Sequence, residues 1–370
     1  MTLEPSRISM ARMRAGFNKT ELARRLEVTT RTITTYESVG APDVAAPDLA
    51  LALSCQSNYF HRPPVEKLEE DRVFFRARRR STALQKNAAT SAGRTGVELY
   101  SLLAECFSLP ELAVPDLAHL DARSAAQQLR AEWNMGADPM PNSVRLAESK
   151  GIRVLTLPRG TADVDAFSLW ELSRPYIFLS MEKSAERSRF DMAHEVGHLV
   201  LHGGAATTPA GDRDAEKEAD RFASELLMPR SMLHAHVRRE PSVQAIMKLK
   251  QFLGVSAMAA TYALHKADLL SDWSYRQVMV ELTRRGFRTA EPGGMARETS
   301  RVFEVTFPAL RKNDGLTVEL IARELGVSAS EVHDLTFGQA LVGVHAPAEF
   351  EGRQEQGRPH LKLVSGGLSG

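Results

Sequence analysis

Apolar residues recur at helical spacing in two consecutive segments near the middle of the chain. In the first segment, the apolar stripe consists of Phe190, Ala193, Gly197, Val200 and Leu201. In the second, residues placed at intervals of about 100° centre one apolar face on Ala215, Ala219, Phe222, Ala223, Leu226 and Leu227. Asp212 or Asp214 can cap the start of the second segment, and Pro229 ends it. Two amphipathic helices are therefore predicted.

Shorter apolar runs precede these helices and predict a small sheet. A helical pattern over 142–150 is followed by strands near 152–156, 164–170 and 176–180. A small sheet packed on two helices is an α+β arrangement. Because most of the remaining patterns are helical, the fold class is predicted to be α+β and predominantly helical.

Four short helical patterns predict a separate module over the first sixty residues. They lie at 8–15, 19–26, 29–37 and 48–54, and the residues expected in their core are Leu22, Ala23, Leu26, Val28 and Ile33. The module resembles the XRE-type helix-turn-helix of phage repressors, although Glu27 stands where that turn usually has glycine. The resemblance implies that the side chains facing DNA are Lys19, Thr29, Thr30, Arg31 and Thr34.

The charge of this module leaves its partner open. Residues 1–60 contain seven Lys or Arg against six Asp or Glu, which is not a strong electrostatic footprint for nucleic acid. Duplex DNA is the expected partner. The alternative is a four-helix module used for docking or dimerisation, so an oligomer is also compatible with the sequence.

A basic segment follows the module. Residues 62–94 contain nine Lys or Arg against four Asp or Glu, and 73–80 combines two phenylalanines with a run of arginines. This segment either extends a nucleic-acid surface or forms a solvated hinge anchored by Phe74 and Phe75. Helical patterns follow at 96–106 and 122–133.

The C-terminal third is predicted to be mostly helical. Residues 255–270 and 275–286 have helical spacing, and 316–335 mimics a second helix-turn-helix. Its second half carries acidic residues and no arginine that could contact bases, which favours a structural role. The last residues, 346–370, are polar and rich in glycine and are expected to be disordered, apart from a short apolar patch at 360–364 that can add to a sheet.

Composition limits the class of protein. Of 370 residues, 25% are charged and 43% hydrophobic, as in soluble globular proteins, and a net charge of +1 gives no overall attraction to nucleic acid or membrane. Cys55 and Cys106 are too few for a disulfide framework or a thiolate metal cluster. Because the N-terminus has no apolar signal segment and no apolar run approaches about eighteen residues, we expect a cytoplasmic protein without a membrane partner.

Candidate chemistry lies in the first of the two amphipathic helices. His194 and His198 are four residues apart, so both imidazoles lie on one helix face and can hold one Zn²⁺. Glu195 between them is the expected general base. For these residues alone, a buried helix whose histidines bond to backbone is the alternative interpretation.

A third ligand is expected on the second helix. Glu216 lies about 60° from the centre of the apolar face, whereas Glu218 lies about 100° away on the opposite flank and Glu225 lies farther still. We therefore expect Glu216 to be the ligand and the other two to face water. Asp220, one turn beyond Glu216, can accept the N–H of a ligating histidine and fix its tautomer. The two histidines, Glu216 and Asp220 together form a complete catalytic zinc site, with Mn²⁺ as the alternative metal.

Together the two helices resemble the ImmA/IrrE family of metallopeptidases. The motifs FDMAHEVGHLVLH (190–202) and EKEADRFASELLMP (216–229) agree with the family in type and order. The resemblance implies a gluzincin-like fold, a catalytic Glu195, and the metal ligands His194, His198 and Glu216. It also extends loosely to the family's long version, which has a fused helix-turn-helix and a C-terminal helical region.

The resulting organisation has five parts. In chain order they are a helix-turn-helix bundle (1–60), a basic and helical connector (61–121), a zinc peptidase with a small sheet (122–240), a helical C-terminal domain (241–345) and a disordered tail (346–370).

Two functions follow from this organisation. The first is a site-specific zinc endopeptidase that regulates gene expression by cleaving a transcriptional repressor in response to stress or another signal. The alternative is a DNA-binding XRE-type regulator whose peptidase-like domain acts as a sensor. A sensor needs no general base, so the presence of Glu195 beside every ligand favours the enzyme.

Two further side-chain roles are expected within the peptidase. Glu195 would take a proton from the attacking water and pass it to the leaving nitrogen. His202, one turn beyond His198, is either an additional stabiliser or a support for the ligands. An extended substrate is expected to add to a sheet edge at Tyr176–Ser180, because that strand runs directly into the helix carrying His194.

Overall fold

Residues 2–68, 73–77, 82–158, 164–203, 213–341 and 362–363 are described by a computed structural model of the chain. The N-terminal module contains α1 (Pro5–Arg14), α2 (Lys19–Arg25), α3 (Thr30–Val39) and α4 (Ala46–Leu53), with 3-10 turns at Asp43–Ala45 and Ser57–His61. Asn18 and Thr29 cap α2 and α3 through their side-chain oxygens. Leu22, Ala23 and Ile33 are buried as expected, whereas Leu26 and Val28 are half-buried against the same core.

The turn between α2 and α3 has a left-handed residue. Glu27 adopts a φ of 56°, a conformation that glycine reaches without steric cost. This backbone requirement explains why glycine is usual at that position in helix-turn-helix modules, and this chain meets it with glutamate.

The basic segment after the module contributes a strand to the central sheet. The strand β1 (Val73–Ala77) is followed by the long helix α5 (Ala83–Cys106), which begins at a capping box formed by Thr82 and Gln85, and by the short strand β2 (Phe107–Ser108). Neither the strand nor the first three turns of α5 was predicted from the sequence.

The central domain is built around a four-stranded mixed sheet. After α6 (Ala122–Glu132) and α7 (Ser143–Ser149) come β3 (Arg153–Thr156), β4 (Val164–Glu171) and β5 (Arg174–Leu179), close to their predicted positions. The strand order is β1-β4-β5-β3. Two left-handed residues, Leu172 and Ser173, form the tight turn between β4 and β5.

The expected sheet edge at Tyr176–Ser180 is wrong. The strand β5 is interior, because it pairs antiparallel with β4 on one side and parallel with β3 on the other. Residues 176–179 therefore have a paired strand on both sides. The edge nearest the helix that carries the histidines is instead formed by β1, which pairs antiparallel with β4.

The two faces of the sheet carry different elements. Helix α5 crosses one face so closely that a Cβ on Gly93 would lie 2.8 Å from the Phe167 ring, and one on Gly96 would lie 2.8 Å from Leu155. The opposite face packs against α8 (Ala185–Leu201), which in turn packs against α9 (Arg213–Leu227). The helix that carries His194, Glu195 and His198 thus lies between one face of the sheet and α9.

The C-terminal region continues with short helices. They are α10 (Arg230–His236), α11 (Val243–Leu253), α12 (Ala257–Lys266), α13 (Asp272–Arg284), α14 (Arg301–Asp314), α15 (Val318–Leu325) and α16 (Ala329–Leu335). The predicted strand near residue 362 is β6 (Lys362–Leu363), which pairs with β2. The remainder of the expected tail lies outside the described residues. Within the described part of the chain, no helix combines the length and the apolar character that a membrane span needs.

The N-terminal module docks on the C-terminal helices. Gln56 donates from its backbone N–H to the Gly326 carbonyl at 3.0 Å, and Asn58 donates to the Arg323 carbonyl at 2.8 Å. Arg14 pairs with the half-buried Glu331 at 3.4 Å. The turn between α15 and α16 is therefore covered by the module, which agrees with a structural role for the second helix-turn-helix pattern.

A buried carboxyl joins the central domain to α14. The Glu148 side chain accepts hydrogen bonds from the backbone N–H groups of Arg301 (2.7 Å) and Val302 (3.3 Å) and from the Ser300 hydroxyl. Burial raises the pKa of Glu148 to about 7, against the hydrogen bonds, which lower it. The carboxyl is thus protonated in the folded state over a pH range in which it is ionised in the unfolded chain.

This raised pKa predicts a pH-dependent stability. Between about pH 4.5 and 7 the folded state binds the proton that the unfolded state has lost, so the free energy of unfolding should fall as the pH rises through that window. The full effect is on the order of 3 kcal/mol. Urea unfolding at pH 5, 6, 7 and 8 should show this decline for the natural chain and a flatter profile for Glu148→Gln. Superimposable profiles would contradict the assignment.

Candidate metal centre

Helix α8 brings the two histidines together on one face. Ser184 caps the helix, and His194 and His198 follow one turn apart, each with only 1% of its surface exposed. Their Nε2 atoms lie 3.0 Å from each other. Two imidazole nitrogens therefore point at the same position.

The third donor comes from α9, at the predicted helical phase. Glu216 places one carboxylate oxygen 3.5 Å from His194 Nε2 and the other 3.3 Å from His198 Nε2. Ligand atoms about 2.0–2.1 Å from a tetrahedral zinc ion lie roughly 3.3 Å from one another. The separations are close to that length, although Glu216 faces the two histidines with different oxygens, and these residues form a group of His and Glu donors able to hold a metal ion.

Close packing of α8 and α9 depends on a glycine. A Cβ on Gly197 would lie 2.9 Å from the Phe222 ring and 3.4 Å from the Ala219 Cα. A larger residue there would push α9 away and move Glu216 out of reach of the histidines. The glycine between the two histidines therefore has a packing role in the site.

The ionisation of the donors suits metal binding. Burial lowers the pKa of His198 to about 4, which keeps its imidazole neutral at pH 7. Burial alone would raise the pKa of Glu216, but the His194 and His198 rings beside its oxygens outweigh burial and hold that pKa well below its usual range. Two imidazole nitrogens and one carboxylate oxygen are a donor set that Zn²⁺ accepts.

Asp220 lies where the sequence places it. One of its oxygens is 3.0 Å from His194 Nδ1. Because the carboxylate accepts the Nδ1 proton, the Nε2 lone pair is left to face the donor cluster.

A second chain of contacts orients His198. Its Nδ1 lies 3.1 Å from Nδ1 of His202, whose Nε2 lies 3.2 Å from a Glu218 oxygen. If Glu218 accepts a proton from His202 Nε2, His202 Nδ1 can accept one from His198, which again leaves the His198 Nε2 lone pair toward the cluster. Sequence reasoning singled out His202 but missed Glu218, which follows Glu216 by two residues on the same helix.

Glu218 is exposed as expected, but the expectation for Glu225 is wrong. It was expected to face water, yet it is buried, accepting a hydrogen bond from Gln127 at 3.0 Å and pairing with Arg123 at 3.6 Å. The reason is that α6 packs along α9 and covers this flank, which the phase of an isolated helix cannot reveal.

Glu195 faces the sheet and has no exposed surface. Its Oε2 accepts a 2.6 Å hydrogen bond from the hydroxyl of Ser168, which is also fully buried on β4. The bond fixes the orientation of the carboxylate. Ser168 was not predicted from the sequence, because only the strand pairing brings it to α8.

Phe74 of β1 completes the surroundings. Its ring stacks on His198 with a centroid separation of 4.9 Å and an interplanar angle of 12°, and it lies 5.9 Å from the His202 ring. The only earlier signal was the aromatic pair in the basic segment, which gave no indication that one ring would contact a histidine.

Comparison with known proteins finds a similar domain in this part of the chain. Residues 147–265, which contain all three donors, match a peptidase family model described as the IrrE N-terminal-like domain. This part of the chain is IrrE-like. The chain is also 27% identical over 164 residues to the radiation response metalloprotease IrrE of Deinococcus deserti, a match over 41% of this chain and 56% of the relative. The chain thus spans about half the length of that curated relative.

The likeness to the IrrE N-terminal-like domain covers the central part of the chain. The matched region begins within α7 and ends within α12, so it includes β3 to β5 and both helices of the donor cluster. The N-terminal module and β1 lie outside it.

The residues of the N-terminal module that were expected to face DNA differ in their exposure. Thr29, Thr30, Arg31 and Thr34 are exposed at and beyond the start of α3. Lys19 is half-buried, with its Nζ 3.2 Å from a Glu37 oxygen and 3.5 Å from the Thr34 hydroxyl. Glu37 thus neutralises part of the charge that Lys19 would offer to a phosphate.

Proposed function

We propose that the chain is a zinc-dependent endopeptidase that regulates gene expression by cleaving a transcriptional repressor. The observation that carries the proposal is the convergence of His194, His198 and Glu216 beside a held Glu195. The match to the IrrE N-terminal-like domain and the likeness to a radiation response metalloprotease support a metallopeptidase linked to stress. Mn²⁺ is an alternative metal, since imidazole and carboxylate donors also accept it.

The chain's own residues would divide the work as follows. A metal held by the three donors supplies Lewis acidity toward water and toward the scissile carbonyl. Glu195 takes the proton from the attacking water and returns it to the leaving nitrogen. Ser168 keeps the Glu195 carboxylate in one orientation, while Asp220 and the pair His202 and Glu218 hold the two imidazoles with their Nε2 atoms toward the cluster.

The N-terminal module is proposed to bring the peptidase to its target. A helix-turn-helix that binds duplex DNA would concentrate the enzyme near DNA-bound regulators. In support, α3 is exposed along Thr30, Arg31 and Thr34, whereas Gln56 and Asn58 of the module contact the C-terminal end of α15. A protein-docking module that binds the repressor directly is the other use of the same surface.

Removing Arg31 tests the DNA proposal. In the full chain, Arg31→Ala should weaken binding to duplex DNA and reduce the slope of log K against log salt by about 0.9, the value for one phosphate contact. Arg276→Ala, on the exposed face of α13, is the matched control and should leave the slope unchanged. Fluorescence anisotropy from 50 to 200 mM salt, the range in which such slopes are read, measures both. Equal slopes for Arg31→Ala and the natural chain would favour protein docking.

The second candidate function is a DNA-binding regulator whose peptidase-like domain is a sensor. One observation favours it: Glu195 has no exposed surface in this conformation. The two functions separate in Glu195→Gln, because an enzyme loses its output with that change whereas a sensor keeps it.

A further inference from the structure

The edge of β4 beside the donor cluster is already paired. Strand β1 runs antiparallel to it, with Val73 opposite Leu169, Phe74 opposite Ser168 and Phe75 opposite Phe167. The other side of β4 is paired with β5. No backbone donor or acceptor of β4 between residues 166 and 169 is therefore left for a third chain.

The register of β1 sets Phe74 on the side of the sheet that faces α8. Its partner Ser168 is the residue that holds Glu195, and the Phe74 ring stacks on His198. One side chain of β1 thus lies against the donor cluster at the same level as the carboxylate that would activate water.

Glu195 and the two histidines are buried beside β1. Glu195 has no exposed surface, His194 and His198 each expose 1%, and Phe74 itself exposes 7%. A peptide that is to reach Glu195 must find the carboxylate accessible, so this conformation does not admit one.

An extended peptide needs the position that β1 occupies. Peptides bind to sheet edges by adding as a strand, and one strand edge accepts one partner. A peptide lying along β4 beside α8 would make the backbone hydrogen bonds that β1 makes now and would place one side chain where the Phe74 ring lies.

We propose that β1 is a resident pseudosubstrate: residues 73–77 occupy the strand position of an extended peptide substrate, and the site opens when they leave β4. This inference rests on the proposed peptidase function. The occupant is a segment of this chain, and the ligand class that replaces it is an extended peptide with a large apolar side chain at the position of Phe74.

The pairing of β1 has features of a strand that can be exchanged. It has five residues, and its register with β4 shifts between Arg76 and Ala77, so the ladder is regular over four residues only. It also lies outside the residues that match the IrrE N-terminal-like domain. By contrast, β4 and β5 pair without a break over six residues.

The expected change in peptide affinity follows from the fraction of molecules in which β1 is in place. If β1 is in place about nine-tenths of the time, the apparent Kd for a competing peptide is raised about tenfold. Removing β1 then lowers the apparent Kd by the same factor. A permanent structural strand would give the opposite result, because loosening it would disorder β4 and weaken peptide binding.

The test uses the zinc-loaded full chain and a fluorescent tripeptide hydroxamate with a phenylalanine side chain, read by fluorescence anisotropy. Phe74→Ala should bind this probe up to about tenfold more tightly than the natural chain. Phe107→Ala removes an equally buried phenyl ring from β2 and should not change the affinity. Hydrogen exchange of the amides of 164–169 should be faster in Phe74→Ala and slow again when the probe is added.

A covalent lock keeps the inference falsifiable if Phe74→Ala does not fold. Val73 and Leu169 are opposite each other, so the double variant Val73→Cys and Leu169→Cys can tie β1 to β4 by a disulfide. Oxidation should lower probe affinity about tenfold or more, dithiothreitol should restore it, and Val73→Cys alone should respond to neither.

The possible outcomes distinguish failure of the pseudosubstrate proposal from failure of the proposed peptidase function. Equal probe affinity in the oxidised and reduced double variant, or weaker binding by folded Phe74→Ala, overturns the pseudosubstrate while the metal remains bound. If the natural chain and Phe74→Ala bind no zinc at all, the proposed function has failed, and the pseudosubstrate with it.

Discussion

His194→Ala is expected to abolish stoichiometric metal binding. The side chain supplies one of three donors, and the remaining His198 and Glu216 leave two protein ligands where a catalytic zinc site has three. The loss of affinity should exceed the roughly 100-fold that removal of an outer partner costs. Metal analysis after dialysis should find one ion per natural chain and none for the variant.

The two glutamates of α9 provide a matched control for this result. Glu216→Ala should lose the metal as His194→Ala does, since its oxygens are the third donor. Glu218→Ala should keep the metal with an affinity reduced by about tenfold, because Glu218 acts only through His202 on His198. Metal retained in Glu216→Ala and lost in Glu218→Ala would show that the donor assignment on this helix is wrong.

Glu195→Gln is expected to abolish hydrolysis and to leave the metal in place. Glutamine can still accept the hydrogen bond from Ser168, so the local packing is kept, but it cannot take a proton from water. General-base catalysis contributes on the order of 10²- to 10⁴-fold, so the rate of peptide-bond cleavage should fall by at least about a hundredfold. Circular dichroism and metal analysis should match those of the natural chain.

Ser168→Ala tests whether the orientation of Glu195 matters, because it leaves the Glu195 carboxylate itself in place. It removes the hydroxyl that holds Glu195 and should lower the cleavage rate less than Glu195→Gln does, with metal content unchanged. A cleavage rate that is the same in Glu195→Gln and the natural chain would contradict the role of this carboxylate.

The parts of the site that could be predicted are those set by a single helix. The spacing of His194 and His198 and the phase of Glu216 follow from about 100° per residue, and neither depends on the rest of the chain. Asp220 was predictable for the same reason, since it lies one turn beyond Glu216.

What could not be predicted depends on pairing between distant segments. The position of β1 next to β4 joins residues about ninety apart, and its basic composition gave no alternating pattern. Phe74 and Ser168 reach the site only through that pairing. The interior position of β5 follows from the parallel pairing of β3, which strand patterns alone do not specify.

The central claim is that this chain cuts peptide bonds at the His194, His198 and Glu216 centre. The most direct measurement is intact-mass spectrometry of repressors encoded beside its gene, after incubation with the zinc-loaded natural chain, with Phe74→Ala and with Glu195→Gln. We expect one pair of fragments whose masses sum to one repressor plus one water. Phe74→Ala should produce them fastest, and Glu195→Gln should not produce them. Repressors left intact by folded, zinc-loaded natural chain and Phe74→Ala, or cut equally by Glu195→Gln, would contradict it.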